Sequence, residues 1–186
     1  MGSAMRKLIA ILAVSALFSF AKESEKLPLP QKLQGELPWF ALDMKDGENS
    51  YNGVLNNNKL KALVKQRGSK RVVLAFFATW CNSCKEGFAL MSRQAAELKA
   101  KEVLVVLVNV GEEDYGKVSR SVKEYQKTNW LLCFDSFNNI PDAFGLAAQG
   151  SEMALPKTLI LDQDLRPLTL IGHHGKDFPQ ILWESL

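Results

Sequence analysis

Two stretches of the chain are apolar without interruption, Val72 to Ala78 and Val103 to Val108. A segment that is apolar on both alternating faces has no solvent side. Such runs suit parallel strands covered by helices above and below. Between them, Cys81, Cys84, Phe88, Met91, Ala95 and Leu98 recur every three or four residues, which marks one face of an α-helix. Strand, helix and strand in that order predict a right-handed parallel crossover. Upstream, Pro38 to Leu42 and Ser50 to Val54 read as short strands about Asp46-Gly47, a hairpin signal. Asn57 to Arg67 reads as a short amphipathic helix carrying Leu60, Leu63 and Val64. Downstream, Asp114 to Gln126 carries Val118, Val122 and Tyr125 at helical spacing, Trp130 to Phe134 is a further strand, and Ile140 to Leu146 a short helical piece. Lys157 to Leu161 and Leu168 to Ile171 are strands whose short connection makes them an antiparallel pair. Asp177 to Glu184 closes as a helix with Phe178, Ile181 and Leu182 inward. The pattern predicts one α/β domain over residues 37–186, a central mixed sheet flanked by helices with an N-terminal β-hairpin. Residues 22–36, polar and holding Pro28 and Pro30, read as a linker.

Composition agrees with a globular chain: 186 residues, 47% hydrophobic and 23% charged. The formal charge is +3 and no basic block exceeds a pair of residues, so no nucleic-acid partner is expected. The first segment stands apart from the fold. Arg6 and Lys7 precede the apolar run Leu8 to Phe20, and Ser19 and Ala21 offer a small-residue exit, the parts of a secretory signal. The run is short of the roughly 20 residues that span a bilayer, so cleavage after Ala21 is the main reading and an uncleaved membrane anchor the alternative. Met5 begins this pattern naturally, and Met1 to Ala4 read as a tag remnant. Without residues 1–21 the chain is nearly neutral and extracytoplasmic (periplasmic in a cell with two membranes), where thiols can be oxidised.

Three cysteines are too few for a disulfide-stapled scaffold. Cys81-Asn82-Ser83-Cys84 follows a buried strand and opens a helix. Cys81 falls where unpaired amides and the helix dipole favour an anion, which stabilises a thiolate. Cys84 lies one turn on, on the stripe with Phe88 and Met91, as the buried partner. One exposed and one buried thiol suit thiol–disulfide exchange: the first attacks, a mixed disulfide forms, and the second resolves it. A structural zinc site needs four ligands, and only His173, His174 and Cys133 remain as soft candidates. The two histidines read as a loop pair at a sheet end. Cys133, in an apolar strand, reads as a small core hydrophobe.

Phe77-Ala78-Thr79-Trp80-Cys81-Asn82-Ser83-Cys84 resembles the active-site segment of thioredoxin-like proteins, and Ala154-Leu155-Pro156-Lys157-Thr158-Leu159-Ile160 resembles their cis-proline strand. The hairpin, the export signal and the insert before Trp130 are similar to the TlpA/ResA/CcmG branch. The resemblance implies a thioredoxin-like fold, with Pro156 cis beside Cys81, and a substrate chain pairing with the backbone of Leu155 near Trp80. It implies no cofactor or metal beyond Cys81–Cys84 itself as a redox-active disulfide. Two positions depart from the pattern. Ala75 stands where many thioredoxins carry a buried acid. Gly87 stands where this branch often has a glutamate, leaving Glu86 as the candidate catalytic acid, one residue and about 100° of helix away.

The resulting expectation is an exported, monomeric protein thiol–disulfide oxidoreductase. It would reduce disulfides in exported clients, apocytochrome c among them, and be recharged by a membrane thiol electron donor. Two other readings compete: an oxidase or isomerase with the same dithiol, and a redox-linked copper chaperone using Cys81, Cys84 and one histidine.

Overall fold

The computed structural model describes residues 24–46, 50–125, 127, 130–148 and 150–186. Residues 1–21, where the signal segment and the tag remnant are expected, and residues 47–49, where the hairpin turn is expected, lie outside them.

Eight strands form one sheet: β1 (Glu25–Leu27), β2 (Ala41–Asp46), β3 (Ser50–Asn56), β4 (Arg71–Phe77), β5 (Val103–Val110), β6 (Leu131–Asp135), β7 (Lys157–Asp162) and β8 (Pro167–Gly172). The order across the sheet is β1-β8-β7-β4-β5-β6-β2-β3. β4, β5 and β6 run parallel, and the other neighbours pair antiparallel. The helices are α1 (Asn57–Arg67), α2 (Asn82–Arg93), α3 (Ala95–Ala100), α4 (Tyr115–Val122), α5 (Ile140–Ala143) and α6 (Phe178–Ser185).

The alternation of β4 explains the layering. Val72, Leu74 and Phe76 enter one apolar layer with Leu60, Val64 and Phe144. Val73, Ala75 and Phe77 enter the other, with Cys84, Phe88, Met91, Val118 and Phe178. β4 and β5 are therefore covered on both faces, as their unbroken apolar runs require. Phe77 meets Phe88 edge to face at 5.1 Å, which seats α2 against the end of β4.

Several boundaries differ from the sequence reading, each for a local reason. The first hairpin strand starts at Ala41 rather than Pro38, because the Phe40 N–H goes to the Asn57 side chain instead of a neighbouring strand. The long apolar stripe from Cys81 to Leu98 is two helices. Gln94, at φ −99° and ψ 15°, leaves helical geometry between them, yet Met91 and Leu98 still point inward. The helix expected from Asp114 begins at Tyr115, with Asp114 capping it through the Lys117 N–H.

The largest correction concerns residues 22–36. Their described part is not a free linker: β1 pairs with β8, a 3-10 turn spans Gln31–Leu33, and Leu33 is fully buried. The sheet edge left open by β8 supplies hydrogen-bond partners that the sequence does not announce. Gly172 supplies the space: a side chain there would begin 2.6 Å from Leu27 Cδ1.

Cys133 lies on β6 in the layer opposite the one that holds Cys81 and Cys84, and burial pushes its thiol pKa strongly upward. Cys133→Ala is expected to leave the Cys81–Cys84 chemistry intact and to cost about 1 kcal/mol through a small cavity. Urea unfolding and thiol titration of the variant check this; loss of reactivity at the pair with the fold preserved would contradict it.

Candidate active site

The site grows from the C-terminal end of β4. After Phe77 the chain turns through Ala78, Thr79 and Trp80, and Cys81 becomes the N-cap of α2. Its sulfur accepts a hydrogen bond from the Cys84 backbone N–H at 3.2 Å, one of the amides that a helix start leaves without an internal partner. Cys81 and Cys84 are joined as a disulfide, with Cα atoms 5.3 Å apart. A disulfide sulfur carries no proton, so at 3.7 Å the Ser83 hydroxyl is the donor to Cys81 Sγ. Cys84 Sγ lies 4.0 Å from the Phe76 carbonyl oxygen.

Cys84 is fully buried, as its place on the stripe requires. Cys81, expected as the exposed thiol, is only 4% exposed. Its sulfur is bonded to the buried Cys84 one turn away, at the helix start. The adjacent Trp80 is the exposed feature, at 65%.

Trp80 and Leu155 line one pocket of about 420 Å³, together with Val110, Gly111 and Met153. The Leu155–Pro156 peptide bond is cis. Pro156 precedes β7, and the Phe76–Lys157 register sets it beside the end of β4. The structure thus gathers Trp80, Cys81, Cys84, Leu155 and Pro156 at one end of the sheet. Glu86 is placed elsewhere: it is exposed on α2 and lines a different depression, with Ser83, Arg93, His173 and His174.

Two features escaped the sequence reading. The first is Glu112, just beyond β5. Its Oε2 accepts from the Thr79 backbone N–H at 2.6 Å and from Asn109 Nδ2 at 2.8 Å. Its Oε1 accepts from the Thr79 hydroxyl and lies 3.7 Å from Lys117 Nζ. Three hydrogen-bond donors and one ion pair on a single carboxylate fix the turn that presents Trp80 and Cys81. Burial by itself raises the pKa of Glu112. The hydrogen bonds from Thr79 and Asn109, with Lys117 nearby, outweigh it and hold the carboxyl below its ordinary 4.5. The signal for this anchor was Asn109, a polar residue inside an otherwise apolar strand. The second feature is His174, expected in an unremarkable loop and in fact buried. Its Nε2 is 2.9 Å from Thr158 Oγ1 and its ring stacks on Phe178 at 3.9 Å.

A glutamine at 112 offers one acceptor oxygen and turns an N–H toward donors that already point inward. Glu112→Gln is expected to lose about 1–3 kcal/mol at pH 7. The carboxyl pKa is depressed in the fold, so its stabilisation is present above 4.5 and fades as pH falls through the lower folded value. The deficit of the variant should therefore shrink below pH 4.5. Urea unfolding across that range tests it, and a pH-independent deficit would contradict the ionised anchor.

Comparison with known proteins places this geometry. The chain is 29% identical over 120 residues to the thiol-disulfide oxidoreductase ResA of Bacillus subtilis, covering 64% of this chain and 63% of that protein. It is 30% identical over 103 residues to the thioredoxin-like protein YneN of the same organism, covering 55% of this chain and 56% of that one. The chain thus spans about three fifths of the length of the curated relatives it matches. Among solved structures, a protein of Chlorobium tepidum described as a thiol:disulfide interchange protein DsbE superposes with a TM-score of 0.61 at 22% identity, over 82% of this chain and 94% of that one. That likeness shows a thioredoxin-like fold, the mixed sheet with flanking helices expected from the sequence. The AhpC/TSA family model matches residues 36–166, and the chain belongs to that family.

Proposed function

We propose that the chain is a protein thiol–disulfide oxidoreductase acting through Cys81 and Cys84. The observation that carries this reading is the bond between a cysteine that caps a helix and a fully buried cysteine one turn away, beside the pocket lined by Trp80 and Leu155. In the reduced protein the Cys84 N–H that points at Cys81 Sγ favours the thiolate at Cys81 over that at Cys84. The Cys81 thiolate attacks a client disulfide, and one client sulfur leaves as thiolate. Cys84 then attacks Cys81, closing Cys81–Cys84 and releasing the second client sulfur. The client gains two electrons and the enzyme loses them. Leu155 and Trp80 bound the pocket on which a client segment would rest, and the backbone at Leu155 offers an edge for strand addition.

The finer reading is an exported reductase. It draws on the signal-like segment around Arg6, Lys7 and Leu8 to Phe20 and on the resemblance to the TlpA/ResA/CcmG branch. Its clients would be exported proteins, with apocytochrome c as the leading candidate because its haem-attaching cysteines must be free. A membrane thiol donor would restore the dithiol.

Cys84→Ser is expected to hold clients as persistent mixed disulfides on Cys81, and Cys81→Ser to hold none. In the reduced wild type Cys81 should alkylate faster than Cys84, and the protein should reduce insulin. Mass spectrometry of trapped species and of the alkylated thiols checks this. Equal labelling of the two cysteines, or a protein purified with intact thiols that carries stoichiometric copper and does not reduce insulin, would overturn exchange in favour of the metal-chaperone reading.

A further inference from the structure

Resolution requires Cys84, a fully buried thiol, to lose its proton inside an apolar layer. A thiol in such surroundings resists ionisation. Ala75 and Gly87, which flank this region on β4 and α2, carry no group that could take that proton. Apart from the cysteines, the buried titratable side chains among the described residues are Asp135 and His174. Asp135 is committed: its carboxylate accepts from the Asn139 and Ile140 N–H groups at the start of α5. His174 is not. Nε2 meets Thr158 Oγ1, while Nδ1 is buried and makes no hydrogen bond of good geometry.

The free nitrogen faces the helix that carries Cys84. A Cβ on Gly87 would sit 2.1 Å from His174 Nδ1, so the imidazole occupies the space a side chain at 87 would need. Gly87 lies three residues after Cys84, on the same face of α2. The sheet side agrees. Thr158, which holds the ring, pairs in register with Ala75, and Ala75 shares the layer of Cys81 and Cys84. Cys84 Sγ lies near the carbonyl of Phe76, the next residue along β4. Sulfur and imidazole therefore border the same short stretch of β4 and the same turn of α2. In the tautomer whose Nε2–H donates to Thr158, Nδ1 presents a lone pair.

We propose that His174, held by Thr158, accepts the Cys84 proton during resolution and returns it when the disulfide is reduced. The Cys84 S–H proton passes to Nδ1. The Cys84 electron pair forms the bond to Cys81 Sγ, the Cys81–client bond breaks, and the client sulfur leaves with the electron pair of the broken bond and takes a proton from water. The imidazolium then releases its proton into the depression of about 570 Å³ that His174 lines with Ser83, Glu86 and His173. Transfer from thiol to imidazole creates an ion pair without adding net charge to the layer, and each partner then favours the ionised form of the other. In the oxidised protein, burial and then His173 pull the imidazole down to about 3, against the Ser83 backbone, so the ring rests neutral. The charged and titratable groups lining the depression with it are Glu86 and Arg93 from α2 and His173 and Lys176 from its own loop; Asp177 at the start of α6 has its Oδ1 engaged by the Ser24 N–H.

The test mixes reduced protein with less than one equivalent of 5,5′-dithiobis(2-nitrobenzoate) in a stopped-flow instrument. Attack by Cys81 releases the first coloured thiolate and resolution by Cys84 the second. His174→Gln is expected to leave the first phase within about twofold. It should slow the second by about tenfold or more at pH 7 and steepen its rise with pH. Cys133→Ala, in the opposite layer, should leave both phases within about twofold. A folded His174→Gln protein with the wild-type second phase and pH profile would overturn the assignment. Should that variant fail to fold, Thr158→Val frees the ring at nearly constant volume. A second phase slowed by about threefold or more, with a displaced pH profile, supports the assignment, and an unchanged one overturns it. His174 can serve only if exchange at Cys81–Cys84 takes place, as proposed above. Failure of exchange removes both phases from the wild type, whereas failure of the His174 role leaves both and makes the second indifferent to the substitution.

Discussion

Burial of β4 on both faces governs this molecule. Its edges pair with β5 and β7 and its side chains alternate between two separate apolar layers, so the strand has no freedom to shift along the sheet. The turn that follows it inherits that rigidity. Cys81 is placed by the end of β4, Pro156 by the strand paired with it, and Glu112 by the loop leaving its other neighbour. The reactive pair is held where three backbone segments end together, at the carboxyl edge of the parallel strands, where open α/β sheets generally place their sites.

The two layers differ in chemical character. The one under α1 and α5 holds Cys133 and is otherwise built from aliphatic and aromatic side chains. The one under α2 and α6 takes in the disulfide, and Thr158 and His174 enter beside it. Buried polar groups are costly unless paired, and the imidazole on the disulfide side has Thr158 as the partner of its Nε2. The Glu112 cluster bears on the same region from outside. It fixes the Thr79 backbone through a carboxylate that stays ionised, while the layer beneath stays neutral in the oxidised state.

Much of this was legible in the sequence. Unbroken apolar runs identified β4 and β5, the three-and-four spacing identified the inward face of α2, and Cys81-Asn82-Ser83-Cys84 with Leu155-Pro156 located the site. What the sequence concealed depends on contacts between distant segments. Glu112 reads as one of three consecutive acids, and only the fold shows it meeting Thr79. His174 reads as half of a loop pair; its burial comes from Phe178 and from the missing side chain at Gly87. Cys81, expected as exposed from its place at the helix start, is buried in the disulfide form. β1 is three residues long and stands beside prolines, too short for any periodicity to register.

That small strand has a consequence for how the molecule meets other copies of itself. A sheet edge is a row of unpaired amides and carbonyls, ready to template another chain. β1 closes the β8 edge through Glu25, Lys26 and Leu27. It is latched by Ser24, whose N–H donates to Asp177 Oδ1 and whose hydroxyl accepts from the Gly175 N–H. The latch spans the loop containing His174. Trimming the chain past Leu27 would bare β8 and uncover Gly172. The first casualty of such a shortened protein would be its solubility, since a bared β-edge invites strand-to-strand aggregation before any core contact is lost.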